Sequence, residues 1–86
     1  MLVVSIIMQE VNGTSVIEAM ALSFQLTPRE AEVLYWVTQG KTNEDVGQIL
    51  ALSMSAVKKH LGRIYDKLGV DNRTAAADAA RRRRGR

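Results

Sequence analysis

Lys58, Lys59 and Arg63 lie close together in segment 53–69, and their side chains suit binding chemistry rather than bond-breaking chemistry. On a helix that advances about 100° per residue, the three cations fall on one side together with Gly62. Ammonium and guanidinium groups pair with phosphate oxygens and donate hydrogen bonds to base edges. A short helix with such a face fits the major groove of double-stranded DNA.

The same segment must also pack against a core, on the side opposite its cations. Ser53, the first residue of the segment, is a good N-cap, because its hydroxyl can accept from an otherwise unpaired amide of the first turn. Gly69 can end the helix in the left-handed conformation. The side opposite the cations is apolar, and we expect it to be buried through Val57, Leu61, Ile64 and Leu68.

The cationic face has a second interpretation, since the exposed side of any soluble helix is usually charged. The sign bias argues against that interpretation, because three cations accompany one anion, Asp66, in a chain whose first half is acidic. Gly62 costs a helix about 0.5–1 kcal/mol relative to alanine. It indicates either close approach of the backbone to a groove wall or simple tolerance at an exposed site.

Composition excludes several classes of function. The 86 residues include no cysteine and one histidine, so disulfides, thiolate metal sites and a His-based triad are excluded. The acidic residues are scattered, and no glycine-rich phosphate loop occurs. We therefore predict that the chain is not an enzyme and has no catalytic residue, cofactor or metal. No apolar run approaches the roughly 18 residues that span a bilayer, and we expect a cytoplasmic protein without a membrane partner.

Charge is divided unevenly along the chain. Residues 1–52 contain two cations against six anions, whereas residues 53–70 contain four cations against one anion. Residues 71–86 contain six arginines against two aspartates. A basic end on an acidic body is typical of a surface that binds a polyanion.

Two helices are predicted before the cationic one. Thr27 as N-cap, Pro28 at the first position and Glu30 at the third all indicate one helix start, and Gly40 closes that helix. Thr42 with Asp45 repeats the capping pattern at the start of the second helix. About three residues, 51–53, separate this second helix from the cationic one. Two short helices joined in this way, of which the later one is basic on its outer side, form a helix-turn-helix. We predict an all-α domain over residues 26–82.

A fourth helix is predicted after Asn72, which can cap it. Its alanines sweep an arc of about 200°, wider than the stripe that packing on one body requires, so we predict a homodimer contact there. The alternative is that alanine simply favours helix and tolerates exposure. The predicted dimerisation residues are Ala75, Ala76, Ala79 and Ala80. Residues 83–86 are too dense in like charge to fold alone and are expected to form a disordered basic tail.

Residues 1–25 form a separate N-terminal segment in this interpretation. Residues 1–11 are apolar and β-branched without a helical stripe, which favours a strand or an extended arm. Asn12-Gly13 predicts a turn, and Ser15 with Glu18 predicts a short helix over about 15–24. A hairpin that pairs Val11 with Val16 is the alternative. The segment could be a second dimer contact or the trailing edge of a sensor domain.

These motifs together resemble the LuxR-type (GerE-like) DNA-binding domain of bacterial transcriptional regulators. The resemblance covers about 55 residues in one register without a gap. The matching stretches are LTPREAEVL (26–34), Gly40 with TNEDV (42–46), Leu52-Ser53, VKKHL (57–61), and IYDKLGV (64–70) with NRT (72–74).

The resemblance implies a four-helix domain whose third helix enters the major groove and whose fourth mediates dimerisation. It also implies that Lys58, Lys59 and Gly62 face bases, while Lys41, Ser55 and Lys67 lie near phosphates. RNA polymerase or an upstream sensor domain would be further partners. The chain departs from the family pattern at Ala56, where threonine is usual, at Gly47, where alanine is usual, and at Gly62, which lacks a side chain that could read a base.

Two functions therefore remain open. The first is sequence-specific binding of double-stranded DNA in transcription regulation, with residues 54–68 in the major groove. The second is a dimerising protein-interaction module with the same fold and weak or no DNA binding.

Overall fold

The computed structural model describes residues 16–84, with side chains through residue 82, and these residues form five helices joined by short turns. The part of the chain that is described contains no strand, so the all-α prediction is confirmed. The helices are α1 (16–24), α2 (Pro28–Thr38), α3 (Asn43–Leu50), α4 (Met54–Leu68) and α5 (Arg73–Arg84).

Each of the last four helices begins at the cap that local sequence predicts. The Thr27 hydroxyl accepts from the Glu30 amide at 3.1 Å, and the Glu30 carboxylate accepts from the Thr27 amide at 3.0 Å. Three further caps repeat this chemistry, because each side-chain oxygen satisfies an amide of the first turn that has no helical partner. They are Thr42 with Asp45, Ser53 with Ala56, and Asn72 with Ala75.

The first four helices all end in a left-handed residue followed by an amide that returns to the last turn. Gly40 and Gly69 adopt φ values of 82° and 72°, as the sequence predicts. Gln25 and Ala51 take the same role with φ values of 58° and 57°. The amides that close the turns are those of Leu26, Lys41, Leu52 and Val70, at 2.8–3.1 Å from their acceptors.

The core lies between α2, α4 and α5, with α3 packed beside α4 and α1 added through Met20. Val33 and Leu34 of α2 and Val57 and Ile64 of α4 have no exposed surface. The remaining buried apolar residues are Leu26, Ala31, Val37, Val46, Leu61, Ala76, Ala77 and Ala80.

Both ends of the described chain refine the sequence predictions. Val16 is helical, so the hairpin that would pair it with Val11 is wrong, whereas the predicted helix to residue 24 is present. The predicted arm, the Asn12-Gly13 turn and Ser15 lie outside the described residues. Helix α5 continues through Arg83 and Arg84, two residues that the sequence predicts to lie in the basic tail. Residues 85–86 lie outside the described residues.

Candidate nucleic-acid interface

The exposed face of α4 brings together most of the predicted DNA-binding residues. Lys58, Lys59, Gly62 and Arg63 are exposed, as is Ser55, whose hydroxyl lies 3.4 Å from that of the Ser53 cap. Within residues 16–82, none of these three cations makes an ion pair or hydrogen bond. We call this set the α4 basic face. Lys58 and Lys59 are therefore available to an external anion, whereas the charge of Arg63 also helps to lower the pKa of Glu30.

Gly62 lies in the middle of the α4 basic face without a packing reason for its lack of a side chain. A Cβ atom built on it would meet nothing within 4 Å. The chain itself therefore does not require glycine here.

The buried side of α4 fixes the direction of the basic face. Val57, Leu61 and Ile64 enter the core, and the α3–α4 turn holds the start of the helix close to α3. The Leu52 amide donates to the Gly47 carbonyl at 2.8 Å, and a Cβ on Gly47 would lie 2.8 Å from the Leu52 carbonyl oxygen. Gly47 is one of the departures from the family pattern, and a glycine within a helix would by itself loosen α3. It instead permits a close approach of backbone in the turn that orients α4.

Lys67 is not part of the α4 basic face. It lies nine positions after Lys58, on about the opposite side of the helix from that residue, and four positions after Arg63, next to the Arg63 edge of the face. Its ammonium is 2.8 Å from the carboxylate of Glu30, a residue with 1% of its surface exposed. Burial opposes the charge of that carboxylate, but hydrogen bonds from Lys67 and the Thr27 amide outweigh it and hold the pKa of Glu30 below its usual value. The structure thus gives Lys67 an internal partner.

Lys41 lies in the turn between α2 and α3 and is exposed. Next to it, the Thr42 amide and hydroxyl hydrogen-bond the Asp45 carboxylate and lower the pKa of Asp45. Two residues of this site were missed by the sequence analysis. Arg73 donates to the Lys41 carbonyl and to the Asn43 side chain, and Arg81 donates to the Thr38 carbonyl at 3.1 Å. No local pattern signals these contacts, because they join positions 30 to 43 residues apart.

The predicted dimerisation alanines divide into two pairs. Ala76 and Ala80 have no exposed surface and pack in the core of their own chain, so their side chains are not accessible to a second copy. That part of the prediction is corrected, because the helical wheel did not reveal which side of α5 faces α2 and α4. Ala75 and Ala79 are half-buried and remain at the surface.

The described part of the chain contains no group of three or more histidine, aspartate or glutamate side chains that could hold a metal ion. None of the helices in that part of the chain has the length and apolar character needed to cross a membrane.

The comparisons with known proteins agree with this geometry. The model of the bacterial regulatory proteins of the luxR family matches residues 24–80. Transcriptional activator protein BjaR1 of Bradyrhizobium diazoefficiens is 43% identical over 58 residues, which are 67% of this chain and 24% of that protein. Transcriptional regulatory protein LiaR of Bacillus subtilis is 44% identical over 57 residues, which are 66% of this chain and 27% of that protein.

A third relative is the HTH-type quorum sensing-dependent transcriptional regulator RpaR of Rhodopseudomonas palustris, 46% identical over 56 residues, which are 65% of this chain and 23% of that protein. The three relatives are named as transcriptional regulators and not as enzymes. The chain spans about a quarter of their length. No solved structure matches it. Because the family model matches well over half of the sequence, the chain belongs to the luxR family of bacterial regulatory proteins.

Proposed function

We propose that this chain binds double-stranded DNA sequence-specifically as the helix-turn-helix domain of a cytoplasmic transcription regulator, with α4 in the major groove. The observation that carries this proposal is the α4 basic face, whose three cations make no ion pair or hydrogen bond within residues 16–82. Unpaired cations on a rigid helix are what phosphate binding and base reading require.

The proposed roles follow from position on the helix. Lys58 and Lys59 donate to base edges, and Gly62 lets the backbone approach the groove wall. Arg63 and Ser55 meet phosphates at the border of the same face. Lys41 contacts a phosphate from the turn before α3. A phosphate contact by Lys67 stays a separate prediction, because its ammonium would have to be shared with Glu30.

We further propose a homodimer through the accessible side of α5, at Ala75 and Ala79. A two-fold dimer would present two copies of α4 about one DNA turn apart, which matches a two-fold related operator. An upstream sensor domain and RNA polymerase are the proposed further partners of the whole regulator.

One observation favours a protein-interaction module as the second candidate. Leu22 on α1 is 82% exposed, and this apolar side chain offers a contact to another protein. This candidate predicts self-association or partner binding without DNA binding.

A salt-titrated binding assay separates the two candidates. Sequences are first selected from a random DNA pool, and affinity for the selected site is then measured between 50 and 200 mM salt. For a dimer with about 6 to 10 phosphate contacts, log K falls with log salt at about −0.9 per contact. Lys58→Ala should weaken the selected site by about 1–3 kcal/mol and random DNA by less.

Arg29→Gln is the matched control, because it also removes one positive charge. Arg29 is an exposed residue of α2 that is already paired with Glu32 at 2.9 Å. It should leave the preference between sites unchanged. Absence of binding even at low salt would favour the interaction module. An equal loss by Lys58→Ala on all sequences would assign Lys58 to phosphate.

A further inference from the structure

The turn between α2 and α3 leaves two backbone carbonyls without a backbone partner. Helix α2 closes through the Gly40 amide on Val37 and the Lys41 amide on Trp36, at 3.0 and 3.1 Å. Among the described residues, the carbonyls of Thr38 and Lys41 accept no backbone hydrogen bond. Carbonyls at helix ends require a substitute donor or water.

Two arginines of α5 supply those donors. Arg81 donates to the Thr38 carbonyl at 3.1 Å. Arg73 donates from one guanidinium nitrogen to the Lys41 carbonyl and from the other to the Asn43 side chain at 2.5 Å. Asn43 is the first residue of α3. The Arg73 guanidinium therefore ties α5 to both sides of the Thr42 cap.

This arrangement fixes the backbone from which Lys41 projects. The Lys41 amide is held by Trp36 and the Lys41 carbonyl by Arg73, whereas the Lys41 side chain itself is exposed. A cation on a fixed backbone loses less freedom when it meets a phosphate than one on a mobile turn. Arg73 is suited to this role because the guanidinium is planar and can donate to two acceptors at once, which an ammonium cannot do with the same geometry.

We propose that Arg73 is a positioning residue that holds the Lys41 turn for contact with a DNA phosphate; this rests on the proposed function. Arg73 acts through the turn and need not touch DNA. The DNA-binding surface then depends on the docking of α5, the helix that also carries Ala75 and Ala79.

A double-mutant cycle tests the proposal. For each subunit that contacts DNA, Lys41→Gln should lower the affinity about fivefold at 0.15 M salt and flatten the salt slope by about 0.9, as expected for the loss of one phosphate contact. In an Arg73→Lys background, which keeps the charge but loses the two-armed geometry, Lys41→Gln should cost less than about twofold. Arg82→Lys is the matched control on the exposed side of α5, and its effect should add to that of Lys41→Gln.

A readout without DNA keeps the outcome decisive. Arg73→Lys should speed hydrogen exchange of the Lys41 and Thr42 amides about tenfold or more, with the Val33 and Leu34 amides unchanged. Additive affinities with unchanged exchange would overturn the proposal. If the wild-type chain does not bind DNA, the proposed function fails instead, and with it the positioning role, whatever the exchange rates.

Discussion

The ammonium of Lys67 lies 2.8 Å from the carboxylate of Glu30, and this ion pair joins the last turn of α4 to the first turn of α2. The same carboxylate accepts the Thr27 amide at 3.0 Å. Glu30 thus closes the N-terminus of one helix and neutralises a cation of another. A polar side chain with 1% of its surface exposed can be accommodated there because both partners are present.

Glu30→Gln should therefore lower the free energy of unfolding by about 1–3 kcal/mol at pH 7, because it removes the charge while keeping the shape. The folded-state pKa of Glu30 lies below its ordinary value of 4.5, so its stabilisation is present above about pH 4.5 and is lost as pH falls through the folded-state pKa. Urea unfolding of wild type and variant from pH 3 to 7 measures the difference in unfolding free energy. The titration of Asp45 cancels in this difference, because both proteins contain Asp45.

Glu32→Gln is the control for this experiment, since its carboxylate pairs with Arg29 at an exposed site. We expect it to change the unfolding free energy by less than about 0.5 kcal/mol. A difference in unfolding free energy between wild type and Glu30→Gln that stays constant down to pH 3 would contradict the role assigned to the ion pair.

Ala51→Gly should stabilise the protein. Ala51 closes α3 at a φ of 57°, a conformation that an L-residue with a Cβ adopts at a cost of about 1–2 kcal/mol. Part of this gain is offset by the greater freedom of glycine in the unfolded chain. We therefore expect the free energy of unfolding, measured by heat or urea, to rise by about 0.5–1 kcal/mol. Gly69→Ala, at a φ of 72°, should change stability in the opposite direction. Equal signs for the two variants would show that this backbone conformation is not what decides their stability.

Gly62→Ala and Gly47→Ala should change the stability of the fold in opposite directions. A Cβ on Gly62 meets nothing, so alanine should add about 0.5–1 kcal/mol by helix propensity alone. A Cβ on Gly47 meets the Leu52 carbonyl at 2.8 Å, and the required backbone shift should cost about 1–3 kcal/mol. If Gly62 faces the groove wall, Gly62→Ala should in addition weaken DNA binding despite the stabler fold. Unchanged DNA affinity would leave Gly62 as a tolerated surface residue.

Ala79→Glu should convert a dimer into a monomer. Ala79 is half-buried at the surface of α5, so a carboxylate there would be desolvated in a symmetric contact without entering the core. Light scattering gives the mass, and binding to full and half operator sites gives the consequence for DNA. Thr74→Glu, on an exposed position of the same helix, is the control for added charge. If the wild-type protein already has the mass of a monomer at high concentration, the α5 dimer is contradicted.

The parts of this fold that the sequence predicts are those with local causes. Thr27, Thr42, Ser53 and Asn72 cap helices through side chains that bond amides three residues ahead, so four residues suffice to recognise each start. The α4 basic face follows from the helical period in the same way. Its composition and exposure agree with the prediction, while its contacts with DNA stay predictions.

The parts that escaped prediction depend on distance in sequence or on backbone conformations without a glycine signal. The ion pair of Lys67 with Glu30 has no local signal, because the two residues lie 37 positions apart, and the phosphate contact that the resemblance implies for Lys67 stays a prediction. Ala76 and Ala75 differ only in which side of α5 meets the core, and alanine carries no pattern that distinguishes those sides. Ala51 adopts a left-handed conformation that glycine usually marks.

The side-chain links that connect the α2–α3 region to the C-terminal helices also imply an order of assembly. Lys41 to Arg73, Glu30 to Lys67 and Thr38 to Arg81 span 32, 37 and 43 positions, whereas the turn closures span five or fewer. Short closures form before long ones, because the entropy of loop closure must be overcome first. On a growing chain, α2 and α3 can therefore form early, but the turn between them reaches its final state only after α5 has been synthesised and has docked.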